Sequence, residues 1–270
     1  MQGETEHMDH KHDHHALVQE YWAREQAAMD AIYSGGVQKY AESLPDLSRA
    51  FDLQSRTIRC IDEGIEADGI SLAGSGILLD ESEVLDTIMH AHADGITCHE
   101  GCGAVALALK KAGRDPADAD MVAQEWASQL AVRAGIPYKG FIRLADMARP
   151  PEMHIARTIY YDGTGRLALS GAPELPRGFI ISRKYTNRHY AEHEIKVAID
   201  IAMGDHGFGE LITEDQPLVI VPVAVAGEGE LGADHLRHEI ENASRDFGGR
   251  VRIDDLTVSE DVLGAELQEA

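Results

Sequence analysis

Cysteine is scarce in this chain: Cys60, Cys98 and Cys102 are the only three among 270 residues. An odd count, with two of them four apart, excludes a disulfide framework. The thiols are left free for a metal or for catalysis, and a reducing cytoplasm is the expected compartment. Basic residues are few as well, 24 Lys and Arg against 47 Asp and Glu, for a net charge of −23. Such a chain repels a phosphate backbone and shows no local basic patch, so nucleic acid is not an expected partner. No apolar run reaches the roughly 18 residues that span a bilayer. Residues 1–15 lack the apolar segment of a secretory signal, so no membrane role is expected either. Hydrophobic residues nonetheless make up 44%, enough at this length to build a full core without staples.

The first 15 residues hold His7, His10, His12, His14 and His15, and their polarity predicts a disordered, histidine-rich tail. Residues 16–52 read as a helical arm. Leu17, Tyr21, Ala28 and Ile32 recur at spacings of four and seven, interrupted by Arg24 and broken by Gly35-Gly36. Residues 53–170 then alternate short apolar strands, glycine turns and helices. Strands are expected at Thr57–Ile61 and Gly95–Cys98. Helices are expected from Asp80 to Ala93, from Ala104 to Ala112, and from the Asp115-Pro116 cap to Ala134. That alternation predicts an α/β fold with a mostly parallel sheet flanked by helices. Residues 155–169 read as a hairpin turning at Asp162-Gly163-Thr164-Gly165. Residues 171–270 read as an α/β extension of the same domain, with helices at 187–203 and 233–247 and strands at 217–225 and 251–258.

Chemistry concentrates at two strand ends. His99-Glu100-Gly101-Cys102 is an H-x-x-C pair at a strand-to-helix turn, and Cys60 closes another strand 39 residues earlier. In a parallel sheet such ends share one edge, where ligands bind. Two thiolates and an imidazole suit tetrahedral Zn²⁺, with a fourth position for water or for Asp62. The bland alternative is two buried cysteines and a core histidine. Cys98, one residue before His99, points to the opposite face.

These fragments resemble the β-class carbonic anhydrases. Thr97-Cys98-His99-Glu100-Gly101-Cys102-Gly103-Ala104 is similar to that family's H-x-x-C-G turn, and Arg59-Cys60-Ile61-Asp62 to its C-x-D strand end. Ala73-Gly74-Ser75-Gly76 stands where the family carries an Ala-Gly-Asn segment beside the active site. Ile159 to Leu167 resembles its late Tyr-Asp…Thr-Gly-x-Leu hairpin. Together they span residues 57 to 169, 113 of the 270. The resemblance implies an α/β fold, a homodimer or higher homo-oligomer, and zinc held by Cys60, His99 and Cys102. It gives Asp62 the catalytic role of gating the fourth site, and it implies hydration of CO2 to bicarbonate by a zinc-bound hydroxide. A narrow substrate pocket is expected from Ile61, Ile65, Gly74, Gly103 and Ala104. The family reads C-x-D-x-R, whereas this chain has Gly64 in place of the arginine. That places it in a divergent branch, near the limiting-CO2-inducible type, and leaves Arg56 or a group from a second subunit to hold Asp62.

Two other outcomes fit the same residues. Asp62 on the metal would close the site and make this a noncatalytic zinc-binding assembly protein. An open site could instead hydrolyse a CO2-like molecule such as carbonyl sulfide or carbon disulfide. A separate motif, His189-Tyr190-Ala191-Glu192-His193, fits the inverted zinc-protease pattern H-x-x-E-H, against a plain reading as a solvated helix face. His90 and His92, two apart, read as surface residues or as proton carriers near the site.

Overall fold

The computed structural model describes residues 3–151, 153–204, 208–227 and 229–263, with the backbone alone for residues 3–14. Helix α1 (Gly3–Gly35) opens the chain. The histidine-rich side chains before His15 lie outside the described residues. The buried stripe of α1 is Val18, Trp22, Met29 and Ile32, one step round from the expected Leu17–Tyr21–Ala28 line. Leu17 is exposed, and Arg24 stacks over Tyr21 on the outer face. The helix is clamped by Trp22, whose Nε1 donates to the Ile155 carbonyl, and by buried Arg157, whose guanidinium lies over the Trp22 ring. Gly36, at φ 89°, ends α1 and starts α2 (Val37–Glu42).

Among the described residues all strands pair in parallel and form two sheets. The first holds β1 (Thr57–Arg59), β2 (Ile70–Ser71), β3 (Gly95–His99) and β4 (Tyr138–Ile142), in the order β2-β1-β3-β4. Its connecting helices are α3 (Glu81–His90), α4 (Gly103–Lys111) and α5 (Ala119–Ala134). The second holds β5 (Thr158–Asp162), β6 (Gly178–Ile181), β7 (Leu218–Val225), β8 (Val251–Ile253) and β9 (Leu256–Val258). Its path is β6-β5-β7-β8, with β9 also on β7. Helices α6 (Arg188–Met203) and α7 (Ala233–Ser244) cross over it, and the four-residue α8 (Glu260–Leu263) follows β9. The β7 sequence LVIVPVAV is almost wholly buried, as a central parallel strand covered on both faces must be. Helix α6 starts on the Asn187 side chain, which accepts from Tyr190 N.

The two sheets meet edge to edge. Ser182 N donates to the Ser71 carbonyl at 3.1 Å and Ile180 N to the Ile61 carbonyl at 3.2 Å. The loop after β1, which carries Cys60 to Asp68, is therefore held between them. The α/β fold with parallel sheets flanked by helices is as the strand–turn–helix alternation indicated. The division between sheets falls before β5, so β5 belongs with the strands of the C-terminal part.

Two strand expectations fail for definable reasons. Residues 155–169 are not a hairpin: β5 pairs in parallel with β6 and β7. The Asp162-Gly163-Thr164-Gly165 turn is wound by Asp162, whose Oδ1 accepts from Thr164 N and Oγ1 and whose Oδ2 accepts from Leu167 N. A side chain that satisfies the backbone this way removes the need for a return strand. The strand expected at 251–258 is split at Asp254-Asp255. Its halves flank the point where β7 carries Pro222, whose nitrogen has no hydrogen to give a ladder. Strands β2, β4 and β6 carry too little apolar pattern to stand out: two residues, a half-buried edge strand containing Gly140, and four residues. Among the described residues no helix is long and apolar enough to cross a membrane.

Candidate metal centre

The C-terminal ends of β1 and β3 place three soft donors together. Cys60 follows β1, His99 ends β3, and Cys102 caps α4, where the positive end of the helix favours an anionic sulfur. The turn between His99 and Cys102 needs Gly101 at φ 66°. It is pinned by Asp120 Oδ1, which accepts from Gly101 N, and by Glu100 Oε2, which accepts from Leu144 N. All three donors are buried, with exposures of 4, 1 and 2%. Their ligating atoms lie within 4.8 Å of one another.

The geometry fits a metal. The Cys60 and Cys102 sulfurs are 3.8 Å apart. A tetrahedral ion about 2.3 Å from each of two sulfurs separates them by about 3.8 Å. His99 Nδ1 is paired with the Glu100 carbonyl at 2.9 Å, while its buried Nε2 has no hydrogen-bond partner. A buried nitrogen without a partner is costly unless something binds it, and a backbone-anchored Nδ1 is the usual way a ligating histidine is oriented. Around the protein groups alone, the Cys60 thiol is pushed well up by its contact with Cys102 and by burial. Burial works against charge on His99, yet Cys60 and Asp62 outweigh it and raise the imidazole to about 9. A cation on these donors would displace the Cys60 proton and the imidazolium proton on binding, since the ligating forms are thiolate and neutral imidazole. Cys98 is outside the group; its sulfur meets Tyr138 Oη at 3.3 Å on the other face of β3.

Asp62 is not held by Arg56, whose guanidinium bonds the Ala91 carbonyl near the opposite edge of the sheet. The partner is Arg149. Its Nε donates to Asp62 Oδ1 at 2.8 Å and its Nη2 to Oδ2 at 2.9 Å, a buried bidentate pair. Arg149 Nη1 is in turn fixed by the Pro150 and Met153 carbonyls. The arginine missing at position 64 is explained by this arrangement: a Cβ on Gly64 would lie 2.7 Å from Arg149 Cγ. Burial would raise the Asp62 carboxyl, but His154, Arg149 and His99 together hold it well below the usual range. Its Oδ2 stands 3.9 Å from His99 Nε2. Beside it, Glu63 accepts from Ile155 N at 2.8 Å and pairs with His154 Nδ1 at 2.8 Å.

Ala73-Gly74-Ser75-Gly76 does lie against the site. Gly74 N donates to Cys60 Sγ at 3.2 Å, and Ser75 Oγ donates to the Thr97 carbonyl. Gly74 and Ser75 both adopt positive φ, and a Cβ on Gly74 would come within 3.2 Å of Ala104. Of the five residues expected to line a pocket, Ile61, Gly74 and Ala104 are packed core and Gly103 is half-buried. Only Ile65, with Asp62, borders the cavity of about 290 Å³ beside the site. His90 and His92 are exposed at the far edge, before β3 begins, and so are not proton carriers here. The H-x-x-E-H residues form no donor cluster among the described residues. Glu192 pairs with Arg188 at 2.8 Å, and His193 Nε2 faces Lys111 Nζ at 3.5 Å.

Sequence reasoning missed Arg149, His154 and Glu194. Glu194, on α6, is fully buried, and its Oε1 accepts from Ala73 N at 2.6 Å, one residue from the Gly74 that bonds Cys60. Its Oε2 has no partner. Burial is the main force raising this carboxyl to about 8, and the Cys60 charge adds to it. A carboxyl raised on folding contributes stability that is complete below its unfolded value near 4.5 and is lost as pH rises through about 8. Glu194→Gln keeps the acceptor for Ala73 N and removes the titration. Urea denaturation across this range should show wild type weakening relative to Glu194→Gln, the gap levelling off above about pH 8; parallel curves would contradict a buried, protonated Glu194.

No protein-family model, curated protein or solved structure matches this chain.

Proposed function

We propose that Cys60, His99 and Cys102 hold a zinc ion and that the protein hydrates CO2 to bicarbonate. The observation that carries this reading is the bidentate Arg149–Asp62 pair, which ties both carboxylate oxygens while leaving Oδ2 3.9 Å from His99 Nε2. A carboxylate so held is kept off the metal and leaves the fourth position open. Zinc with an open position lowers the pKa of a coordinated water to about 7. Asp62, fixed by Arg149, is placed to accept a hydrogen bond from the attacking water and to orient it towards the CO2 carbon. A C–O bond forms, bicarbonate leaves, and one proton must reach solvent. His154, 4.0 Å from Asp62 and with about a tenth of its side chain exposed, is the base in position to pass it on. The near-complete burial of all three donors favours a second reading, a structural zinc site without turnover.

Stopped-flow CO2 hydration by zinc-loaded protein separates the two. The expected result is a rate that climbs between roughly pH 7 and 9 with the ionisation of the water and is absent in Cys60→Ser. A full complement of zinc with no hydration anywhere in that window would leave the structural reading.

A further inference from the structure

The cavity of about 290 Å³ lies between the loop that follows β1 and the start of β6, and Arg59 forms part of its wall. Arg59 is 5% exposed. Its Nη1 donates to the Cys60 carbonyl at 3.2 Å, its buried Nε has no partner, and among the described residues no carboxylate forms an ion pair with it, Asp68 and Asp62 acting on it only from further off. A guanidinium buried without a counter-ion is costly, because nothing replaces the water it gave up.

The other charged groups of the wall already have partners. Asp62 is taken by Arg149, and Glu63 by His154 and Ile155 N. Glu66 meets Arg177 at 3.2 Å, and Asp68 accepts from Ser170 Oγ and Gln54 N. Arg59 alone among them lacks a charged or hydrogen-bonding side-chain partner. Gly69 lets the chain pass close to the Thr57 carbonyl and to the Arg59 stem: a Cβ there would clash with the carbonyl oxygen and lie 3.1 Å from Arg59 Cδ. The remaining wall is apolar, chiefly Ile65, Leu169, Leu175 and Ile180.

We propose that this cavity is a binding site for a small monocarboxylate, its carboxylate paired with the Arg59 guanidinium and its short hydrocarbon tail against those aliphatic side chains. A carboxylate supplies what Arg59 lacks, a planar acceptor for a planar donor. The aliphatic wall selects an organic acid over a bare inorganic anion. The site is distinct from the metal centre and adjoins it through Asp62, which borders the cavity, and through Arg59, which bonds the Cys60 carbonyl.

The test uses the full chain loaded with zinc and butyrate as the probe, with chloride and butylammonium at equal ionic strength as controls. Butyrate should raise the wild-type melting temperature saturably, by several degrees, and the controls should not. In Arg59→Gln the butyrate-dependent shift should vanish, while the melting temperature without butyrate holds or rises, since an unpaired buried charge is gone. Pro173→Trp, which fills the cavity from an exposed lining position, should also abolish the shift with Arg59 intact. Equal butyrate shifts in wild type and Arg59→Gln would place the anion elsewhere, for instance on the metal, and would overturn the proposal. No saturable shift in wild type would overturn it too, as would a response to butylammonium alone. If Arg59→Gln fails to fold, loss of the shift in Pro173→Trp supports the site and its persistence overturns it.

Discussion

Cys60→Ser, His99→Ala and Cys102→Ser should each strip most of the zinc from a protein that otherwise purifies with about one ion per chain under reducing conditions. The effect is expected to be large because, among the described residues, these three form the soft-donor group, and Asp62, 3.9 Å from His99 Nε2, is locked to Arg149. Removing one donor leaves two, too few to hold the ion against water. Cys98→Ser should keep its metal, since that sulfur faces Tyr138 on the other side of β3. The double change His189→Ala with His193→Ala should also keep it, because those histidines converge on no carboxylate and no cysteine. Zinc content by elemental analysis checks all five. Full zinc in the three donor variants, or its loss in the histidine double variant, would move the site.

Arg149→Met should be the most damaging single change outside the donors. It strands the Asp62 carboxylate, which is 3% exposed, without its counter-ion. Breaking a buried pair from one side costs roughly 3–5 kcal/mol, readable by chemical denaturation. Asp62 is held below the usual carboxylate range, so the stability it contributes is complete above its unfolded pKa of about 3.9 and is lost only as pH falls through the lower folded value. The deficit of Arg149→Met should therefore be constant through neutral pH and shrink in acid. Adding Asp62→Asn should recover most of it, since an amide needs no counter-ion. On function, a freed Asp62 can turn to the metal and close it, so Arg149→Met should retain zinc while CO2 hydration falls at least tenfold. Unchanged stability and rate would show that the pair does not set the site.

The grouping of Cys60, His99 and Cys102 was legible because its signal is local. An H-x-x-C pair at a strand-to-helix turn, and a cysteine ending another parallel strand, must share a sheet edge whatever else the chain does. The strand–turn–helix alternation carried the fold class for the same reason. What escaped notice is long-range. Arg149 reaches Asp62 across 87 positions, and nothing in Ala148-Arg149-Pro150 announces it. The only trace lay at the other end, in Gly64, where the absence of a side chain leaves room for Arg149. Glu194 stands next to His193, just past the H-x-x-E-H stretch, yet the helix turns it inward under Ala73 while Glu192 and His193 stay half-buried. The supposed hairpin failed because Asp162 satisfies the turn by itself, and a Tyr-Asp…Thr-Gly pattern reads alike whether the chain returns or crosses over.

Zinc-edge X-ray absorption on the purified wild-type protein addresses the central claim, a Cys₂His zinc with one light-atom position left over, most directly. The expected first shell is two sulfurs at about 2.3 Å and two nitrogen or oxygen atoms at about 2.0 Å, with one sulfur lost in any Cys102→Ser protein that still carries metal. A shell of nitrogen and oxygen alone, or one with no sulfur from Cys60 and Cys102, would contradict it.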